Sequence, residues 1–292
     1  MSKRGFITIG IDTETDQVKY SYALALSIKN CDPDAEICLV VDKDKSDLVD
    51  NNYFDAFDYI VELPFGNTGH ADGYHGSNFW QLIHCTPFDE TIYVDSDSLF
   101  LNVDIDLLWK QFQNVNIGMT SIARNYKNSL TNKRITFEIE KQYQLPEQYS
   151  QLFYYDSSEE ALAWFKMADP IFQNWREVYD IHFKEKKPNS FNKNVLCNLI
   201  THYLDLYSET NIIINNFYDL ATSDQNLWAN DLSEKWTDVL NNWYTDKHEL
   251  IIENSNISNG IIHYRDENFL TQEIINELKE SFNTTKTRIQ YS

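Results

Sequence analysis

The chain has 292 residues, 42% hydrophobic and 24% charged, the composition of a folded protein with room for a sizeable core. Its 24 Lys and Arg against 45 Asp and Glu give a formal charge of -21, a field that disfavours nucleic acid and anionic membrane surfaces but admits a small anionic ligand accompanied by a cation. Cys31, Cys38, Cys85 and Cys197 include no C-x-x-C pair, which speaks against a disulfide framework and a thiolate zinc site.

In chain order, residues 6–11 read as a first strand, too short for a signal-peptide core, and no apolar run approaches membrane-spanning length. The expected location is the cytoplasm. After a polar turn at 12–16, Val18, Tyr22, Ala25, Leu26 and Ile28 fall at helical spacing. A second strand at 36–41, a short helix at 46–51 and a third strand at 59–63 ending at Pro64 continue the alternation. The pattern predicts a parallel, Rossmann-like sheet. Gly10-Ile11-Asp12-Thr13-Glu14 lacks the G-x-G-x-x-G spacing of a dinucleotide turn, so a nicotinamide enzyme is disfavoured.

The stretch 66–76 holds four of the eight glycines and two of the seven histidines, His70 and His75. A loop closing on a ligand and a solvated connection both fit it, and the histidines could form a second metal pair. A helix follows at 78–84, a strand at 91–94, an apolar run at 99–101, a helix through Ile105, Leu107, Leu108 and Trp109, and a strand at 117–122. Arg124, Lys127, Lys133 and Arg134 form a basic group suited to phosphate or to a solvated face. Further on come a strand at 152–155 and one long helix at 159–179, opened by Ser157-Ser158-Glu159-Glu160, with Trp164, Phe165, Phe172 and Trp175 in the core. Then come a helix at 192–203, a short strand at 212–214, a polar helix at 232–243, apolar runs at 250–252 and 261–262, and a last helix at 271–282 before a frayed tail.

The chemistry centres on Asp95-Ser96-Asp97, directly after the buried strand at 91–94. In open α/β sheets ligands collect beyond the carboxyl ends of such strands, and two carboxylates there suit a divalent cation that can in turn hold a diphosphate. The flanks Pro87-Phe88-Asp89-Glu90-Thr91-Ile92-Tyr93-Val94 and Ser98-Leu99-Phe100-Leu101, the helix start Tyr20-Ser21-Tyr22-Ala23-Leu24-Ala25, and the late Ile261-Ile262-His263-Tyr264 resemble the GT-A nucleotide-sugar glycosyltransferases. The likeness is strongest to the glycogenin-like and galactosyltransferase-like group.

That resemblance implies an α/β fold of GT-A type: a single Rossmann-like domain over 1–270 with a central, mostly parallel but mixed sheet flanked by helices, and a C-terminal helical appendage over 271–292. It implies a metal-dependent, retaining transfer of a sugar from a UDP-sugar to a hydroxyl acceptor, a glycan foremost. Asp95, Asp97 and His263 would hold the metal, Mn2+ or Mg2+, the mixed oxygen and nitrogen set favouring Mn2+. Ile9, Gly10, Ile11, Tyr20, Asp95 and Ser96 would contact the donor nucleotide. Arg124 and Arg265 would replace the usual diphosphate lysine, whose position is taken by Phe269, while Tyr149-Ser150-Gln151 stands where the group has Asn-Ser-Gly. Asp224 and Gln225, with Asp95 and Asp97, would be the catalytic and sugar-recognising set, and Asn192 and Asn194 compete for the place of Asp224 and Gln225. Two alternatives stand beside this reading: a carbohydrate- or nucleotide-binding, transferase-like protein without activity, and a nucleotidyltransferase making sugar nucleotides. Donor sugar, acceptor and oligomeric state are not encoded in residue types.

Overall fold

The computed structural model describes residues 2–11, 17–43, 46, 49, 51–69, 75–130, 148–183, 190–206, 211–220, 248–252, 255–264, 266 and 268–290. Phe6 and Ile7, neighbours on β1 (Arg4–Ile9), are buried in two different cores, because successive side chains of a strand point to opposite faces and here both faces are covered. β1 pairs in parallel with β2 (Ile37–Val41) and with β4 (Glu90–Val94), and β3 (Tyr59–Glu62) adds in parallel outside β2. β7 (Tyr149–Asp156) then runs antiparallel to β4. β6 (Ile117–Thr120) is antiparallel to β7, with the short β8 (Asn211–Ile212) parallel to β6 at the edge. The parallel half therefore lies where the alternating pattern predicts it, and the sheet becomes mixed at β7.

A second sheet has the order β5 (Ser98–Leu101), β12 (Gly260–His263), β9 (Phe217–Asp219), with β12 antiparallel to β5 and parallel to β9. β10 (Leu250–Ile252) and β11 (Ser255–Ile257) make a two-stranded ribbon.

α1 (Gln17–Cys31) is buried from Val18 to Lys29 apart from Lys19, so its polar groups need internal partners. Ser27 Oγ donates to Leu24 O at 2.7 Å and accepts from Phe100 N at 3.0 Å, tying α1 to β5. Asn30 Nδ2 donates to Leu278 O at 3.1 Å on α7 (Gln272–Gln290), and Ile274, Leu278 and Phe282 of α7 belong to the same core. α3 (Ile105–Gln111), capped by Asp104, lies on this face too.

On the other face sit α4 (Glu159–Gln173), α5 (Trp175–His182) and α6 (Lys193–Tyr203), around Phe79. The Phe79 ring lies 4.7 to 6.2 Å from those of Tyr93, Phe153, Trp164, Phe165 and Phe172, a cluster that anchors strands and helices together. The four aromatics expected in the core are buried there. The four cysteines are free thiols, and burial pushes Cys31 up to about 11 and Cys85 and Cys197 up to about 12. No helix among the described residues is long and apolar enough to cross a membrane.

The structure differs from the sequence reading at several elements. The expected helix at 78–84 is a 3-10 segment, His75–Gln81, followed by the single turn α2 (Leu82–Cys85). Its polar side chains face inward to hold the preceding loop: Asn78 Oδ1 accepts from Thr68 N at 2.9 Å, and Gln81 Nε2 donates to Gly66 O at 2.8 Å. The long helix expected at 159–179 breaks at Asn174, whose backbone N–H and Nδ2 both donate to Pro170 O, at 3.1 and 2.8 Å. Most of the helix expected at 46–51 lies outside the described residues, a 3-10 turn follows at Asn51–Ala56, and the last helix runs on to Gln290. The helix expected at 232–243 lies outside the described residues.

Candidate functional site

Asp95 is the first residue after β4, and Asp97 the last before β5, so the acidic triplet bridges the large sheet and the small one. Asp95 N donates to Gln151 O at 3.0 Å, prolonging the β4–β7 ladder, and Tyr264 N donates to Asp97 O at 2.9 Å, prolonging β12–β5. The register then sets His263 opposite Ser98 on one side and Asp219 on the other. His263 Nε2 is 3.1 Å from Asp97 Oδ1 and 3.8 Å from Asp95 Oδ2, and one ligand atom from each of the three residues lies within 4.8 Å of the others.

Two carboxylates and one imidazole form a donor set that a borderline divalent ion accepts. His263 Nδ1 faces Oδ1 of the fully buried Asp219 at 3.3 Å, which leaves Nε2 as the nitrogen turned to the carboxylates. A carboxylate behind a histidine orients the ring and raises its basicity toward a metal. Asp219→Asn is accordingly expected to weaken Mn2+ binding by roughly 10–100-fold. Calorimetric titration of folded variant and wild type checks this, and equal affinities refute it.

Asp95 is also held from behind. The Tyr93 hydroxyl and the Lys193 ammonium both donate to Asp95 Oδ1. Lys193 Nζ sits 4.6 Å from the centre of the Tyr93 ring and 5.1 Å from that of Phe79. Burial, then the adjacent Asp95, pushes the Tyr93 phenol well above its usual range. Sequence reasoning missed Lys193, which is 98 residues from its partner. Its one local signal is a cation on the first turn of a helix, where the dipole disfavours positive charge.

A cavity of about 190 Å³ opens beside the carboxylates, beyond the carboxyl ends of β1 and β4. Of the sequence candidates, Ile9, Ile11, Tyr20 and Ser96 line it together with Asp95 and Asp97. Ser96 Oγ donates to Gln17 Oε1 at 2.9 Å, tying the triplet to the start of α1. Gly10 is not on the wall; a Cβ there would stand 2.9 Å from Leu39 Cδ1 and 3.0 Å from Ser21 Oγ, so its glycine serves close packing of α1. Tyr264 completes the wall, its ring centre 6.4 Å from Tyr20 and 4.9 Å from Phe269. Burial and then Asp97 push its phenol well above the ordinary range. Phe269 is thus packed under the wall.

Other candidates are placed elsewhere. The Arg124 guanidinium donates through Nε to Asn215 O at 2.9 Å and through Nη1 to Asn128 O at 3.1 Å, and it does not line the cavity. Asn192 Oδ1 caps α6 by accepting from Val195 N at 3.2 Å, while Asn194 Oδ1 accepts from Ser150 N and Oγ at 2.8 and 2.6 Å, so both side chains hold local structure. Asp224, Gln225 and Arg265 lie outside the described residues, as do His70, Lys133 and Arg134.

No family model matches the chain, and no curated protein is similar to it in sequence. Among solved structures, the galactosyltransferase LgtC in complex with donor and acceptor sugar analogs superposes with a TM-score of 0.54 at 13% identity, over 95% of each chain. Mouse xyloside xylosyltransferase 1 gives 0.49 at 10% identity, over 92% of this chain and 99% of that one. The mixed sheet flanked by helices, superposed on LgtC along nearly its whole length, makes this a fold of the GT-A glycosyltransferase type.

Proposed function

We propose that the chain is a metal-dependent glycosyltransferase, moving a sugar from a nucleoside-diphosphate sugar, UDP-sugar in the first instance, to a hydroxyl of a glycan or similar acceptor. The observation that carries this reading is the gathering of Asp95, Asp97 and His263 at the mouth of a cavity beyond the carboxyl ends of β1 and β4, the place where open α/β sheets receive their ligands. In this reading the three residues hold Mn2+ or Mg2+. The bound ion supplies positive charge that offsets what develops on the departing nucleoside diphosphate. Asp95, Asp97 and the His263 imidazole, backed by Asp219, fix where that charge sits. Ile9, Ile11 and Tyr20 give the nucleoside an apolar wall, and Ser96 lines the cavity beside them.

Among the described residues that line the cavity none is Lys or Arg, so Arg265 is our candidate for the diphosphate. Asp224 and Gln225 are kept as candidates for recognising the sugar, within a transferase unit spanning 1–270. Retention of the anomeric configuration and a cytoplasmic location belong to the same proposal. The structural duties of Asn192 and Asn194 favour one second reading, a binder of nucleotide or carbohydrate without turnover.

A screen of UDP-sugars for Mn2+-dependent release of UDP tests the first reading. Turnover of at least one donor that stops on chelation is the expected result. UDP binding without any turnover favours the second reading, and absence of both overturns the transferase and the nucleotide binder together, leaving only a binder of carbohydrate.

A further inference from the structure

The two oxygens of Asp95 face different ways. Oδ1 accepts from the Tyr93 hydroxyl and the Lys193 ammonium, whereas Oδ2 lies 3.8 Å from His263 Nε2, on the side where Asp97 converges. Lys193 is nearly enclosed, its side chain 11% exposed and flanked by the rings of Tyr93 and Phe79. It does not reach the cavity wall, and among the described residues that line the cavity none is Lys or Arg.

We propose that Lys193 is a positioning residue for this site: a resident cation, held on Asp95 Oδ1 away from the side where Oδ2 and Asp97 converge, that contributes positive charge beside the donor diphosphate. The inference rests on the transferase reading above. An ammonium in a partly desolvated site acts on charges it does not touch, since the local dielectric is far below that of water. Three carboxyl groups, Asp95, Asp97 and Asp219, converge around His263, and Lys193 adds a cation beside them before the anionic donor arrives. Lys193 therefore opposes the metal taken alone and favours the diphosphate once the metal is bound.

That opposition gives a signature that packing alone would not produce. Lys193→Met keeps the apolar stem against the two rings and removes the charge. Calorimetric titration with Mn2+ alone is expected to show binding several-fold tighter than wild type. Titration of UDP into Mn2+-saturated protein is expected to show binding roughly tenfold weaker. Lys193→Arg is expected to keep both affinities within about threefold of wild type, because it retains the charge. Weakening of both ligands by Lys193→Met points to a merely structural role, and no change in either points to none; each overturns the inference. Should the Met variant fail to fold, Lys193→Gln takes its place, and failure of both neutral variants to fold where Arg succeeds also assigns a structural role and overturns it. Wild-type protein that binds neither Mn2+ nor UDP overturns the transferase reading itself, whereas normal wild-type binding with an unshifted variant overturns only the role of Lys193.

Discussion

Asp97→Ala is expected to abolish measurable Mn2+ binding and to lower Mn2+-dependent turnover of a UDP-sugar by roughly 10²–10³-fold, the loss seen when one preorganised electrostatic group is removed from an active site. Asp97 is a clean probe. Its side chain is 31% exposed, and what locks the strand start is its backbone carbonyl, which accepts from Tyr264 N whatever the side chain is. The variant should therefore fold with near wild-type stability. His263→Ala should lose cation binding as fully but should also destabilise, because it strips a partner from the fully buried carboxylate of Asp219. Release of UDP, followed with and without chelator alongside thermal melting, separates the two effects. Undiminished turnover by Asp97→Ala would remove the triplet from the chemistry.

A second large effect is expected from backbone geometry. Gly260 opens β12 at φ +144°, in a region that side chains rarely enter, and a Cβ there would stand 2.4 Å from Asn216 O and 2.9 Å from the Tyr218 ring. The first of those contacts is backbone and cannot swing aside. Gly260→Ala should cost about 2–4 kcal/mol from strain and overpacking together, a fall in Tm of roughly 5–10 °C. Gly66 supplies the control. It also has positive φ, at +71°, but nothing lies within 4 Å of its added Cβ, so Gly66→Ala should cost only about 1 kcal/mol. Equal melting temperatures for the two variants would contradict the account of β12. Because His263 lies on the same four-residue strand, Gly260→Ala should weaken the cation site as well.

Much of this architecture can be read from short-range patterns. The alternation in β1, β2 and β4 predicts strands buried on both faces, and the placing of Asp95 after β4 follows from where that strand ends. His263 is visible for a similar reason, at the end of an Ile-Ile run. What stayed hidden depends on pairing across the chain. Asp219 ends a three-residue strand too brief for a periodic signal, and its partner is 44 residues away. Lys193 meets Asp95 only because α6 packs under β7 and β4. Arg124 was legible as a basic residue near a turn, yet its partners turned out to be two carbonyls, and residue type alone does not distinguish a cation awaiting phosphate from one that holds a loop. The 3-10 geometry at His75–Gln81 was likewise concealed, because buried amides tethering a glycine-rich loop look in sequence like ordinary helix positions.

The acidic triplet carries the chain from one sheet to another within three residues, and the third ligand comes from the middle strand of the smaller sheet. Any ion gripped by all three is therefore a fastener between sheets whose own hydrogen-bonded ladders are separate. Since only the native arrangement brings these ligands together, occupancy adds to folding free energy by mass action, about 2.7 kcal/mol at a hundredfold excess over the dissociation constant. The seam between the sheets would thus loosen first when the ion is withdrawn, and the cavity bordering it would be the first region to gain hydrogen exchange.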